Sequence, residues 1–312
     1  MKAAFLDKPG SLIIKDVDIP VFADDEVLIR IRATGICGSD LHYFREGRVG
    51  TNVIRTPHIL GHESTGEIIE TGKAVKNLKK GDRVAVEPGV PCLRCDHCLR
   101  GRYNLCNEVK FLGAPPNHGT LREYIAHKSL FVHKLPDNLS FAEGAFFEPL
   151  AVGYNAIVKS GIKPGESVVI TGAGPIGIVC LMLAKLAGAA RITILDVDRY
   201  RLKIAESMGA NETLLPEEAK APSPVHDCVI EATGTEEGLT LCVEYLKKGG
   251  RMVLVGMSNS PVSLNTIALL RKEAAIYTVY RYANYYQPVL ELFRAGISMS
   301  NRSCRTGFRL RK

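Results

Sequence analysis

The 312-residue chain has no run approaching the ~20 apolar residues that a bilayer-spanning helix needs. Its N-terminus, Met1-Lys2-Ala3-Ala4-Phe5-Leu6-Asp7, lacks the apolar core of a secretory leader. These absences speak against a membrane or secreted protein and predict a cytoplasmic one. There is no internal repeat and no low-complexity tract, which excludes a solenoid. Acidic residues are missing from positions 301–312, where Arg302, Arg305, Arg309, Arg311 and Lys312 place five of the seven net positive charges. The remaining 300 residues carry only +2. A terminal basic tail without a reading module is ordinarily solvated, so no nucleic-acid partner is expected. Nine cysteines would suit a disulfide scaffold in a short secreted chain, but four of them cluster at ligand spacing and the rest are scattered. A reducing compartment fits that distribution.

What is present is ample core material. Hydrophobic residues make up 46% of the chain, mean hydropathy is +0.04, and the length suggests about two domains. The first half carries short β-like runs, such as Glu26–Arg32 and Asp82–Val86, separated by Gly/Pro/Asp turns, and reads as an irregular all-β module with inserted loops. From about Ala151 the texture changes to alternating β and α. Helical segments are expected at 152–160, 178–186 and 200–207, and strands at 167–170, 191–195, 228–230 and 252–255. Such alternation with short apolar strands argues for a parallel, doubly wound sheet and an α/β class overall.

Within that half, Val168-Val169-Ile170-Thr171-Gly172-Ala173-Gly174-Pro175-Ile176-Gly177 sets three glycines where a strand turns into a helix. Gly172 makes the tight turn, Gly174 lets the backbone approach a pyrophosphate, and Gly177 packs helix on sheet. Asp196 follows at the end of the next strand, where a carboxylate can accept from ribose hydroxyls. It would also repel a 2′-phosphate, which favours NAD over NADP, although nearby Arg201 offsets part of that repulsion. The bland alternative is an ordinary glycine turn with a helix-capping Asp.

Two ligand sets precede this turn. Cys92, Cys95, Cys98 and Cys106 put four thiols within fifteen residues of a polar loop, enough to close a tetrahedral shell around one Zn²⁺. The second set is dispersed and mixed: Cys37, His62, Glu63 and, further on, Glu148. A closed thiolate shell has no room for substrate, whereas a mixed shell can keep a position open. Taken alone, Cys37 reads as a buried thiol and His62 as a turn histidine.

Their surroundings change that. Residues 61–75, Gly61-His62-Glu63 through Gly66, Gly72 and Val75, resemble the zinc alcohol dehydrogenase signature at every fixed position. Together with Cys37-Gly38-Ser39-Asp40, the cysteine lobe and the GAGPIG turn, the chain resembles the zinc-dependent medium-chain dehydrogenases. Ser39-Asp40-Leu41-His42-Tyr43, the 110–116 segment, Phe147-Glu148-Pro149-Leu150-Ala151 and Tyr280-Arg281-Tyr282 are similar to the polyol branch, the sorbitol and xylitol dehydrogenases. The resemblance implies a β-rich GroES-like catalytic domain (1–150, with 285–312 as an incomplete return segment) and a Rossmann NAD-binding domain (151–284). It implies two zincs per chain. Cys37, His62 and Glu63 hold the catalytic one with a water, and whether Glu148 also ligates or holds a water stays open. Tyr43, Phe111, Arg281 and Tyr282 would line the substrate site, and Ser39 and His42 would relay the proton. The expected reaction is oxidation of a polyol to a ketose with hydride transfer to NAD, in a homodimer or homotetramer paired through the sheet edge at 275–282. A butanediol or threonine dehydrogenase, or an inactive NAD-binding protein, are the alternatives.

Two stretches depart from the family. Pro216, Pro222 and Pro224 are expected to prevent a helix between the strands near 212–215 and 227–230, leaving one sheet face thinly covered. After a helix expected at 288–295, residues 301–312 match nothing in the family, and an altered end is expected to lower stability or activity.

Overall fold

The computed structural model describes residues 1–55, 57–219 and 225–294, which divide into two units, 1–148 with 283–294 and 149–282. The basic tail, Pro222 and Pro224 lie outside the described residues.

The first unit is built on a five-stranded antiparallel sheet in the order Tyr124–Lys128, Glu26–Gly35, Glu63–Thr71, Arg83–Val86, Val132–Lys134. Alternation drives it: Val27 and Ile29 point to one face and meet Ile68, Val84, Val86, Ile125 and Val132, all buried. Each such side chain contributes roughly 1.5–3 kcal/mol by leaving water. A smaller sheet of Ser11–Asp16, Lys2–Lys8 and His58–Ile59 lies alongside. The unit is not all-β. A helix runs over Gly38–Glu46 and shorter ones over Asp96–Leu99 and Phe141–Ala145. The first of these lacks an apolar stripe long enough to announce itself. It is nucleated by Asp40, whose Oδ2 accepts the Cys37 backbone N–H at 3.0 Å.

The second unit carries six parallel strands in the order Glu212–Leu214, Arg191–Leu195, Ser167–Thr171, His226–Glu231, Leu246–Leu254, Ala275–Thr278. Helices Pro175–Leu186, Arg199–Ser207, Glu236–Tyr245 and Thr266–Lys272 connect them. Val168, Val169 and Ile170 are fully buried because both sheet faces are covered, which is why this strand reads as an unbroken apolar run. Chain order reverses between Ser167–Thr171 and His226–Glu231, so the crevice beyond their carboxyl ends is where such a sheet binds a ligand. Pro216 does not simply break structure: it opens a short 3₁₀ turn, Pro216–Glu218, whose Glu218 carboxylate accepts the Leu215 N–H at 3.0 Å. Among the described residues no helix is long and apolar enough to cross a membrane.

Candidate active site

Cys37, His62 and Glu63 converge from different places in the first unit. Cys37 caps the helix Gly38–Glu46, His62 lies in the loop after Leu60, and Glu63 opens the strand Glu63–Thr71 opposite Gly35. One ligand atom of each lies within 4.8 Å of the others. Atoms sharing one zinc at 2.0–2.3 Å cannot stand more than about 4.6 Å apart, so the spacing is of the right order. Glu148, in the first turn of the helix Phe147–Ser160, falls outside that group but near enough for its charge to act on two of its members.

The electrostatics show what this set needs. Burial, and then the Glu148 charge, push the Cys37 thiol up to about 11. Burial, and then the Cys37 and Glu148 charges, hold the Glu63 carboxyl well above its ordinary range, with His62 pulling the other way. Three acids in one low-dielectric site cannot all ionise without a cation. A divalent ion meets that need, and a soft sulfur, an imidazole and a carboxylate form a donor set that zinc accepts.

Asp40 organises the set without belonging to it. Buried at 3% exposure, it accepts the Cys37 N–H at Oδ2 (3.0 Å) and the Gly61 N–H at Oδ1 (3.0 Å), and Oδ1 lies 3.8 Å from His62 Nδ1. One carboxylate thus ties together the backbone at Cys37 and at Gly61, the neighbour of His62, and so supports the chain around two ligands. Gly35 is the other unforeseen contributor: a Cβ there would lie 2.1 Å from Glu63 Oε2, so only glycine leaves the carboxylate its place. The capping spacing Cys37-x-x-Asp40 could have flagged the first; nothing local flags the second.

The remaining expected residues fall as follows. Ser39 lies beside the Cys37 sulfur, where its side chain and backbone favour the thiolate against the effect of burial. His42 is half-exposed, its Nδ1 3.2 Å from Glu46 Oε1. The Phe111 ring packs against His62 with centroids 5.5 Å apart. Tyr43 is buried with Leu6 and Leu60. Arg281 and Tyr282 belong to the second unit, where the Arg281 carbonyl accepts Asn155 Nδ2 at 2.8 Å and its guanidinium lies over the Tyr280 ring.

The four thiols of Cys92, Cys95, Cys98 and Cys106 also lie within 4.8 Å of one another. Backbone N–H groups turn inward on the sulfurs, Cys95 N to Cys92 Sγ and Cys92 N to Cys106 Sγ, each at 3.4 Å. Such bonds, that of Arg94 N–H foremost, bring the Cys92 thiol down to about 6, while burial and the neighbouring thiols push Cys98 up to about 12. Four thiols so arranged can all ionise only around a metal.

In the second unit the glycine turn has the geometry its spacing implies. Gly172 has φ +92, a Cβ on Gly174 would meet nothing within 4 Å, and a Cβ on Gly177 would lie 1.8 Å from the Gly172 carbonyl. The helix then begins at Pro175. Asp196, 7% exposed, accepts the Ala173 N–H at 2.7 Å and the Asp198 N–H at 2.8 Å, tying the turn to the next strand. Arg201 Nη1 lies 3.8 Å from its Oδ2. Glu231, at the end of the strand across the switch point, was not foreseen. Its carboxylate accepts the N–H groups of Thr233 (2.6 Å) and Gly234 (2.9 Å) and so shapes the neighbouring loop.

Matches to known proteins agree with this arrangement. Residues 23–137 match the alcohol dehydrogenase GroES-like domain and residues 175–295 the zinc-binding dehydrogenase domain. A sorbitol dehydrogenase of Bacillus subtilis is 40% identical over 306 residues, covering 95% of this chain and 87% of the relative. A probable D-xylulose reductase A of Aspergillus fumigatus is 40% identical over 283 residues, covering 86% and 79%. The crystal structure of an Escherichia coli oxidoreductase of unknown specificity superimposes with a TM-score of 0.89 at 36% identity, covering 95% of this chain and 88% of that one. The chain therefore belongs to the zinc-dependent medium-chain dehydrogenases, an oxidoreductase family, and within it to the polyol branch of sorbitol dehydrogenases and xylulose reductases.

Proposed function

We propose that this protein oxidises a secondary hydroxyl of a polyol such as sorbitol or xylitol: polyol + NAD⁺ ⇌ ketose + NADH + H⁺. The observation that carries the reading is the meeting of Cys37, His62 and Glu63 beside the Phe111 ring, three ligands of different type that leave a fourth position for an oxygen ligand. Residues 1–148 with 283–294 serve as the catalytic domain and 149–282 as the cofactor domain.

Cys37, His62 and Glu63 would hold one zinc, and Cys92, Cys95, Cys98 and Cys106 would hold a second. Zinc in the mixed site supplies Lewis acidity that lowers an alcohol's pKa, and the nicotinamide supplies the hydride acceptor. The protein's own groups do the rest. Asp40 fixes the backbone that carries Cys37 and leads into His62. Glu148 adds a second carboxylate near the site, suited to hold a water or a substrate hydroxyl. Ser39 and His42, the latter half-exposed beside Glu46, would carry the substrate proton outward, and a water held by Glu148 is the other route. Phe111, Tyr43, Arg281 and Tyr282 form the amphipathic lining for a chain of hydroxyls. Gly172, Gly174, Pro175, Ile176 and Gly177 receive the pyrophosphate, and Asp196, with Arg201 beside it, selects NAD.

The edge strand Ala275–Thr278, with Ile276 and Tyr277 each 40% exposed, pairs with a second copy in a homodimer or homotetramer. The free thiols of the second unit, Cys180, Cys228 and Cys242, suit the reducing cytoplasm. Zinc stoichiometry combined with NADH formation on sorbitol and xylitol tests the reading. Two zincs per chain and chelator-sensitive turnover are expected; two zincs without turnover on any polyol would sink it.

A further inference from the structure

Glu87 follows the strand Arg83–Val86, is 3% exposed, and has no part in the reaction described above. Its carboxylate accepts the Tyr103 hydroxyl at 2.6 Å and lies 3.1 Å from His133 Nε2, while its carbonyl lies 2.9 Å from His127 Nε2. Tyr103 sits inside the four-thiol lobe, in the turn Tyr103–Leu105 between Cys98 and Cys106. A phenol and a carboxylate taken out of water together persist only when their remaining capacity is met, and here it is met from a distant part of the chain. The Tyr103 oxygen accepts the backbone N–H of Asn284 at 2.7 Å, and Asn284 Nδ2 donates to the Gly101 carbonyl at 2.7 Å. Two residues on, the Tyr286 ring stacks on His133 with centroids 5.0 Å apart, and its hydroxyl donates to the Val86 carbonyl at 2.9 Å.

The stretch Arg281–Asn284 is therefore gripped at both ends, each within its own unit: Arg281 through its carbonyl by Asn155, Asn284 by Gly101 and Tyr103. Both end residues take left-handed backbone angles, φ 52 and φ 65. Such angles cost a non-glycine residue energy and are retained where the surroundings hold them.

We propose that Tyr103, oriented by buried Glu87, is a positioning residue for substrate binding, carrying the metal-dependent order of the four-thiol lobe to residues 281–284. This rests on the reading that Arg281 and Tyr282 line the substrate site. The four thiols keep one arrangement only around a bound metal, so the position of Tyr103, and with it the anchor of Asn284, depends on that metal. The lobe then belongs to the substrate-binding apparatus without touching substrate.

The test uses the full-length, zinc-loaded Tyr103→Phe variant, which keeps the ring that packs edge-on against Phe131 and removes only the oxygen. Hydrogen exchange over residues 281–288 and steady-state kinetics are measured. Zinc content should stay at the wild-type level. Exchange at Asn284 should accelerate about three- to tenfold, the worth of one neutral hydrogen bond. The polyol KM should rise by a similar factor while the KM for NAD stays put. Glu87→Gln, which keeps an acceptor for Tyr103, should give a smaller rise in both. Removing the lobe metal through Cys98→Ser should reproduce the faster exchange and add little on top of Tyr103→Phe. Unchanged exchange, an unchanged polyol KM despite faster exchange, or loss of zinc from Tyr103→Phe would each overturn the proposal. A wild-type protein that oxidises no polyol would sink the functional reading instead, and the exchange data would still decide whether the clamp exists.

Discussion

Replacing Gly35 by alanine tests the mixed metal site through a residue that is not a ligand. The added Cβ would lie 2.1 Å from Glu63 Oε2 and 3.1 Å from Glu63 Cβ. Ordinary contact begins near 3.4 Å, so the carboxylate oxygen must retreat by about 1.3 Å, or the paired strands Glu26–Gly35 and Glu63–Thr71 must part. Metal ligands tolerate about 0.2 Å. Such a displacement exceeds the disturbance caused by losing an outer hydrogen bond, which costs 10- to 100-fold in metal affinity or activity. Misplacing a reacting group by about 1 Å alone costs on the order of 10²-fold. Gly35→Ala should therefore retain one zinc per chain, that of the four thiols, and lose at least about 100-fold in kcat/KM for polyol, with NADH binding intact. Colorimetric zinc release, with and without a thiol-blocking mercurial, separates the two sites. A variant that keeps both zincs and a kcat/KM within threefold of wild type would show that Glu63 does not ligate the metal from the position described here.

Three further outcomes are expected. Glu63→Gln should lose the mixed-site zinc, whereas Glu148→Gln should keep it and lower kcat; equal metal loss in both would make Glu148 a ligand too. Asp196→Asn should weaken NADH binding about 10- to 100-fold, as expected for a charged acceptor bonded to the glycine turn, and should narrow the preference over NADPH; fluorescence titration with both cofactors checks this. His127 is fully enclosed, and burial brings it from 6.5 down to about 4. Its neutral form is thus favoured in the fold, so stability is intact above pH 6.5 and is lost as pH falls toward 4, by up to about 3 kcal/mol. His127→Gln should flatten the denaturation midpoint across that window, and parallel curves for variant and wild type would refute the assignment.

The cofactor unit was legible in the sequence because its determinants are local. A strand buried on both faces is written as an apolar run, and the glycine turn is marked by local needs, the positive φ of Gly172 and the close approach of Gly177 to the Gly172 carbonyl. Pro216 is less informative: proline stops a helix in mid-course but can open a short turn, and only the Glu218 bond shows that it does so here. In the first unit the short strands were visible by alternation, yet the helix Gly38–Glu46 was not, since it is fixed by the single Asp40 cap and by docking rather than by an apolar stripe.

The amino-acid sequence by itself determined which atoms are available: four thiols spaced to close a shell, a cysteine, a histidine and a glutamate of differing hardness, and a turn shaped for a pyrophosphate. These follow from covalent spacing and side-chain chemistry, which no fold can alter. Tertiary structure alone decided how they are used. It places Gly35 against Glu63, and it sets the Asp40 carboxylate between Cys37 and the Gly61 N–H. It also joins Tyr103, whose hydroxyl donates to buried Glu87, directly to a backbone amide 181 positions away. Such contacts arise between segments distant in the chain, where hydrogen-bond geometry and close packing act over a few ångströms and leave no periodic trace in the sequence.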